Sequence, residues 1–220
     1  MIIIAVEGTD GSGKFTQCTK LYERLTALGY KCKLQSFPCY DSLSSGPVKM
    51  YLNGDFGDKA TCLDAYQASV LYATDRLCTM NLIMKEEFDI VILDRYTQSN
   101  MIHQACKIKN IQKKYDFLEW IDEFEFGTLK LPRPNVVFFL DMPVDVSKRL
   151  ANARAELKAG TKKDILESDK EHLLYAYATG KEVANKFHWK QISCMDNKNQ
   201  IKSIDQINEE IFKEVKKHLK

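Results

Sequence analysis

The sequence predicts an α/β fold in which a mostly parallel five-stranded sheet lies between helices in a three-layer arrangement. Short, wholly apolar runs of β-forming residues recur along the chain, and segments with helical spacing of apolar residues alternate with them. Polar motifs directly follow several of these runs. Parallel strands joined by right-handed crossovers bring such strand ends together along one edge of the sheet. We therefore expect a ligand site at that edge.

The first βαβ unit is predicted at the start of the chain. Residues 2–6 form an apolar run that is typical of a strand covered on both faces, and a glycine-rich turn follows. Leu21 and Leu25 then recur at helical spacing, and Gly29 is predicted to end the helix because glycine suits a left-handed C-terminal cap. A second strand over about 32–37 completes the unit.

The remaining elements continue the alternation of strands and helices. Residues 40–60 are rich in turn-forming residues and predict loops around one short helix that could clamp a ligand, while 63–86 predicts a long helix. Further strands are predicted at 90–93, 136–140 and 188–194. Capping boxes predict the starts of two later helices, at Ser168 with Glu171 and at Ser203 with Gln206.

Composition limits the class of protein. A chain of 220 residues that is 45% hydrophobic can bury a sizeable core, so we expect residues 1–220 to form a single domain. The 32 basic and 30 acidic residues leave a net charge of only +2. No global positive field therefore marks a nucleic-acid binder, and we expect small-molecule partners held at a local anion site.

The cysteines and the start of the chain predict a cytoplasmic location. An odd number of cysteines without a Cys-x-x-Cys pair argues against a disulfide framework and a zinc site. No basic leader precedes the first motif, and no apolar run approaches the ~20 residues that a membrane span needs. We expect no membrane association and reduced thiols at all seven cysteines: Cys18, Cys32, Cys39, Cys62, Cys78, Cys106 and Cys194.

The first turn carries a phosphate-binding motif. Gly8, Gly13 and Lys14 match the Walker A spacing, with a predicted strand before them and a helix after them. The loop amides and the helix N-terminus attract phosphate oxygens, and Lys14 can bridge the β- and γ-phosphates of ATP. An ordinary glycine-rich turn would not explain a lysine at a helix start. The predicted ATP-binding residues of the loop are Gly8, Asp10, Gly11, Ser12, Gly13, Lys14, Phe15 and Thr16.

The metal site departs from the usual motif. The residue after the loop lysine normally offers a hydroxyl to Mg²⁺, but here it is Phe15, and the next hydroxyl is on Thr16. Asp94 follows a buried strand, as does a carboxylate that holds Mg²⁺ through water, and Arg95 beside it can fork onto an acceptor phosphate. We predict Mg²⁺ as cofactor, with Asp94 and Thr16 as metal residues. A strand-end cap with a local ion pair is the alternative.

A possible base site lies on the long predicted helix. Tyr72 and Arg76 are four residues apart and share one helix face, where a ring can stack on a base and a guanidinium can donate to its carbonyls. Plain surface packing would produce the same pair.

Four motifs in this order resemble the thymidylate kinase family over most of the chain: Glu-Gly-x-Asp-Gly-x-Gly-Lys, Phe-Pro, Ala-x-Asp-Arg and Asp-Arg-Tyr-x-x-Ser. The resemblance implies a P-loop NTPase fold, transfer of a phosphoryl group from ATP to dTMP to give dTDP, and a homodimer. It also implies that Asp10 holds the acceptor sugar hydroxyl and that Arg95 contacts the acceptor phosphate. The implied acceptor-binding residues are Asp10, Phe37, Tyr72, Arg76, Arg95 and Ser99.

A basic stretch after residue 141 predicts a mobile lid at about 149–167. A kinase needs cations that arrive when its lid closes and excludes water. In the resembled family the catalytic arginine lies either in the phosphate loop or on the lid. Because Gly11 occupies the loop position, the lid should supply it. We predict Arg154 as catalytic, with Lys14, Asp94 and Arg95, and Arg149 as an ATP-binding residue that stacks on adenine, although either lid arginine suits either role.

Two further departures from the family pattern leave alternatives open. Tyr40 stands where the Phe-Pro-x-Arg segment has arginine, and Ile165 stands where the lid pattern Asp-Arg-x-Glu has one. Each loss removes a cation expected near phosphate. The chain could therefore phosphorylate another deoxynucleotide or a nucleoside, or serve as a nucleotide-binding regulatory protein with weak turnover.

Overall fold

Five parallel strands form one sheet in the order β2-β3-β1-β4-β5 in the computed structural model, which describes residues 1–157 and 170–219. This confirms the predicted α/β architecture, and every predicted strand is present. The strands are β1 (Ile2–Glu7), β2 (Cys32–Ser36), β3 (Ile90–Asp94), β4 (Val136–Asp141) and β5 (Lys190–Ser193).

Helices cover both faces of this sheet. Those in the described part of the chain are α1 (Lys14–Ala27), α2 (Gly46–Asn53), α3 (Ala65–Ile83), α4 (Thr97–His103), α5 (Ile111–Asp122), α6 (Val144–Leu157), α7 (Lys170–Lys186) and α8 (Ile204–Val215). Short 3₁₀ turns lie at Leu43–Ser45 and Ala105–Lys107, and a π-helical segment, Glu123–Thr128, extends α5. The single short helix expected within 40–60 is α2, preceded by the first of these turns.

Alternation along the strands divides the core into two layers. Ile4 and Ile92 face the side that α1 and α8 cover, where Leu21 packs with them. Val91 and Leu93 face the opposite side, in the layer that includes residues of α3. Because the central strands are buried on both faces, they consist of continuous apolar residues, and the result is the expected three-layer arrangement.

The helix ends follow local sequence signals. Gly29 adopts a φ of 93° after α1, as expected for a left-handed cap. Ser203 and Gln206 form the predicted capping box of α8. Helix α3 begins two residues later than expected because the Asp64 side chain caps it through the Gln67 amide. Ser168 of the other predicted box lies outside the described residues.

The register brings the ends of the two central strands together. Val6 pairs with Asp94, so Glu7 and the residues of the following turn lie beside Arg95. Within residues 1–157 and 170–219, helices long and apolar enough to cross a membrane are absent. All seven cysteines are free thiols.

Candidate active site

The phosphate loop connects β1 to the first turn of α1 and lies under α6. Gly11 has a φ of 81°, and a Cβ added there would lie 2.1 Å from the carbonyl oxygen of Ser147 in α6. A side chain at this position is therefore excluded by backbone, not by a flexible neighbour. This packing supports the expectation that any catalytic arginine comes from outside the loop.

Lys14 is buried at the N-terminus of α1. Its Nζ donates to the carbonyl oxygen of Thr9 at 3.0 Å and lies 3.9 Å from Asp10 Oδ1. Burial, together with the charge of Arg95, lowers the pKa of Lys14 from 10.5 to about 8. Among the described residues, the buried hydroxyls of Thr9 and Ser12 have no hydrogen-bond partner. The loop thus offers a cation and unused hydroxyls to an incoming anion.

Arg95 joins the loop to the strand end of β3. Its Nη2 donates to Asp10, while Nη1 lies 3.3 Å from Ser99 Oγ and 3.1 Å from His103 Nε2. Burial raises the pKa of Asp10, but the charges of Arg95 and Lys14 outweigh it and hold that pKa well below its usual range. Since a guanidinium only donates, His103 Nε2 accepts, and burial lowers the pKa of this histidine well below its usual value.

Glu7, at the end of β1, helps to hold the residues around Arg95 in place. The carboxylate is completely buried and accepts hydrogen bonds from the Tyr96 amide and from Ser99 Oγ, both at 2.7 Å. Burial raises the pKa of Glu7 from 4.5 to about 6, although the charge of Arg95 opposes this rise. Glu7 thereby fixes the backbone turn that follows Arg95, which itself has a φ of 68°.

Asp94 has the free oxygen that a metal site requires. Its Oδ2 accepts from Ser36 Oγ at 3.2 Å, whereas Oδ1 is buried and lacks a partner among the described residues. Mg²⁺ prefers such a hard oxygen and keeps several waters, so the residues present fit this ion. The described residues contain no cluster of three or more metal-ligating side chains. Phe15 is 58% exposed and Thr16 is half-buried.

A cavity of about 290 Å³ opens beside Arg95 and brings together every residue expected to bind the acceptor. Asp10 and Ser99 line it next to the loop, and Phe37, Tyr72 and Arg76 line it farther away. Its other lining residues, none of which was predicted to bind the acceptor, are Ser36, Pro38, Tyr40, Leu52, Asp94, Asn100, His103 and Gln104.

Arg76 lines this cavity while forming a buried ion pair. Its Nε and Nη2 donate to the two oxygens of Glu125, at 2.7 and 2.6 Å. Thr97 Oγ1 donates to the same carboxylate at 2.8 Å and Asn100 Nδ2 at 3.0 Å. All four bonds to Glu125 converge in a site without solvent, because Glu125 and Thr97 are fully buried. Plain surface packing, the alternative given for the pair of Arg76 and Tyr72, therefore does not describe Arg76.

Tyr72 connects the cavity to the segment predicted as a clamp. Its ring meets that of Tyr51 edge to face, with centroids 6.4 Å apart. Tyr51 in turn donates to the carbonyl oxygen of Ala60 at 2.7 Å. From the same segment, Tyr40 and Leu52 contribute to the cavity wall.

The predicted lid is described only in its first part. Arg149 is exposed on α6, two residues after Ser147, whose backbone covers Gly11 of the phosphate loop. The side chain of Arg154 and residues 158–169, including Ile165, lie outside the described part of the chain.

Several site residues were missed by reasoning from sequence. Asn100, His103 and Gln104 lie on or just after α4, and only their distance from the Asp-Arg-Tyr motif could have indicated them. Glu7 carried a weak signal, because it is a charged residue at the end of an apolar strand. For Glu125 we find no sequence signal.

A phosphate loop between β1 and α1, with an acceptor-sized cavity at the adjoining strand ends, defines a nucleotide-binding phosphotransferase of the P-loop class. The chain belongs to the thymidylate kinase family, because the family model described as thymidylate kinase matches residues 6–203.

Curated relatives agree with this assignment. The chain is 32% identical to a thymidylate kinase of Mycobacterium tuberculosis (strain H37Rv) over 174 residues, which cover 77% of this chain and 79% of the relative. It is 29% identical to a putative thymidylate kinase of Aeropyrum pernix, over 83% and 84% of the two chains. The structure of thymidylate kinase from Candida albicans has the same fold, with a TM-score of 0.71 at 22% identity, over 99% of this chain and 92% of that one.

Proposed function

We propose that the enzyme transfers the γ-phosphoryl group of ATP to dTMP and so forms dTDP. One observation carries the choice of acceptor: in the cavity beside Arg95, the side chains of Arg76 and Asn100 together leave one hydrogen-bond donor and one acceptor for a base. Arg76 uses Nε and Nη2 on Glu125, so Nη1 is the nitrogen left to face the cavity. Asn100 uses Nδ2 on Glu125 and on the Ser69 carbonyl, so its Oδ1 remains.

This pair of groups matches thymine better than cytosine. Thymine has an O4 acceptor beside an N3–H donor, whereas cytosine has an amino donor at position 4 beside an N3 acceptor. A donor from Arg76 and an acceptor from Asn100 therefore both find partners on thymine. On cytosine the same two groups would remain unpaired, at a cost of about 1–3 kcal/mol each.

The residues around the phosphates supply charge and position. Lys14 and the loop amides hold the donor phosphates, and Arg95, kept in place by Asp10 and Ser99, receives the acceptor phosphate. Asp10 stays ionised and can accept from the acceptor sugar. Mg²⁺, held through Asp94 and water, would neutralise charge on the phosphate oxygens.

The lid completes this proposal. Arg154 would supply the catalytic cation, since the packing of Gly11 against Ser147 leaves no room for a side chain there. Arg149, exposed on α6, would stack on the adenine of ATP. Separate alanine variants of the two arginines test the division: Arg154→Ala should lower kcat, and Arg149→Ala should raise the KM for ATP.

For the assembly and location, we propose a single-domain chain that forms a homodimer in the cytoplasm and takes nucleotides as its partners. One face of α3 supports pairing, because Tyr66 and Val70 are exposed four residues apart along it. The free cysteines agree with a reducing compartment. Light scattering tests the homodimer, and a monomeric mass at micromolar concentration would refute it.

A coupled assay of ADP release over a panel of acceptors tests the activity. The panel consists of dTMP, dUMP, dCMP, dGMP and thymidine, with Mg²⁺ and ATP constant. We expect the highest kcat/KM for dTMP and a much lower value for dCMP. A preference for dCMP or for thymidine would identify a different kinase, and nucleotide binding without ADP release would identify a regulatory protein.

A further inference from the structure

Glu125 lies behind the base site and touches none of the cavity. It sits in the π-helical segment Glu123–Thr128, completely buried, and is not among the residues that line the cavity. Its carboxylate nevertheless binds two residues that do line it, Arg76 and Asn100. Both carboxylate oxygens are fully used, because each accepts two hydrogen bonds.

The chemistry of a carboxylate determines how these two side chains turn. An ionised carboxylate only accepts, so Asn100 must present Nδ2 to Glu125, and the second partner of Nδ2, the Ser69 carbonyl, is also only an acceptor. Glu125 and the Ser69 carbonyl therefore fix the orientation of the Asn100 amide, and its Oδ1 is the atom left for a ligand. The two-point contact with Nε and Nη2 of Arg76 likewise fixes the guanidinium plane.

We propose that Glu125 is a positioning residue that sets the hydrogen-bonding polarity of the base site and thereby the selectivity for 4-oxo over 4-amino pyrimidine monophosphates. This inference rests on the proposed function, since it concerns the acceptor of the same reaction. Glu125 acts through Arg76 and Asn100 and contacts no substrate.

Glu125→Gln tests the proposal with the smallest change in shape. The glutamine amide has one accepting oxygen and one donating nitrogen, and in either orientation the nitrogen faces an N–H of Arg76. Either the guanidinium moves or Asn100 rotates its own nitrogen toward the cavity. We expect kcat/KM for dTMP to fall about tenfold or more. The value for dCMP should change much less, and the KM for ATP should stay constant, so that the ratio of dTMP to dCMP falls about tenfold.

Thr97→Val is the matched control. It removes one hydrogen bond from the same carboxylate, to Oε2, but Thr97 does not line the cavity. We expect it to lower Tm by about 2–4 °C and to leave the dTMP to dCMP ratio unchanged. A loss of selectivity in Thr97→Val equal to that in Glu125→Gln would show a general packing effect and overturn the proposal.

The remaining outcomes are also decisive. A folded Glu125→Gln enzyme with the wild-type ratio, or with equal losses for dTMP, dCMP and ATP, would overturn the proposal while the proposed function stands. If wild-type enzyme itself fails to prefer dTMP, the proposed function fails first. Should Glu125→Gln not fold, Glu125→Asp replaces it. This variant keeps the charge beside Arg76, but its shorter side chain cannot reach both Arg76 and Asn100. We expect the same fall in the ratio of kcat/KM for dTMP to that for dCMP.

Discussion

Lys14 Nζ donates a 3.0 Å hydrogen bond to the main-chain carbonyl oxygen of Thr9, so the phosphate loop is closed by its own lysine. The ammonium group is buried at a helix start, where the helix dipole disfavours a cation. It is stabilised by Asp10, Asp94 and Glu7, whose charges oppose the effects of burial and of Arg95 on its pKa. The loop is therefore held ready for an anion that would take the place of the carbonyl contact.

Replacement of Lys14 by alanine tests the donor site. Lys14→Ala removes a positioned cation from the transferred phosphoryl group, and we expect kcat to fall by roughly 10²-fold or more. Lys20→Ala on the same helix is the control, since Lys20 pairs with Asp205 at the surface. Unchanged turnover in a folded Lys14→Ala enzyme would refute the donor-site assignment.

The pKa of Lys14 predicts how activity depends on pH. A pKa of about 8 in the free enzyme means that the ammonium form, which binds phosphate, is lost as pH rises through 8. Since kcat/KM for ATP reports the free enzyme, it should be constant below this value and fall above it. Lys14→Arg keeps its charge at every accessible pH and should lack this fall. A wild-type profile that stays flat to about pH 9.5 would contradict the assignment.

Phe15 predicts a weakened affinity for Mg²⁺ and hence a higher Mg²⁺ requirement. The ring occupies the position whose hydroxyl usually ligates Mg²⁺, so water should fill the vacant coordination position. Phe15→Ser should lower the Mg²⁺ concentration that gives half the maximal rate. Because the ring is 58% exposed, its removal should leave Tm nearly unchanged. If this variant needs the same Mg²⁺ concentration as wild type, the idea that water replaces a missing hydroxyl ligand is wrong.

Glu7 predicts a pH-dependent contribution to stability. Its pKa is raised in the folded state to about 6, from 4.5, so the stabilisation it provides is fully present below pH 4.5 and is lost as pH rises through 6. The shift corresponds to about 2 kcal/mol. Urea unfolding of wild type and Glu7→Gln near pH 4 and near pH 7 measures it: the advantage of wild type should shrink by about this amount at the higher pH. A difference that is independent of pH would contradict the raised pKa.

The sequence alone determined the parts of the molecule that depend on local patterns. Apolar runs predicted the strands of the sheet, and helical spacing of apolar residues predicted helices between them. Both patterns are properties of short segments. The phosphate loop followed from the spacing of Gly8, Gly13 and Lys14. Family motifs also predicted which residues bind the acceptor, and the structure brings all of these predicted residues to one cavity.

The tertiary structure decided how these residues are paired. Arg76 meets Glu125 across 49 positions and Arg95 meets Asp10 across 85. Such contacts leave no periodic trace, because they depend on how helices pack on the sheet and on which carboxylates lose their water there. Sequence placed Arg76 and Tyr72 on one helix face and Asp94 at a strand end. Only packing turned Arg76 toward a buried carboxylate and left one oxygen of Asp94 without a partner among the residues that the structure describes.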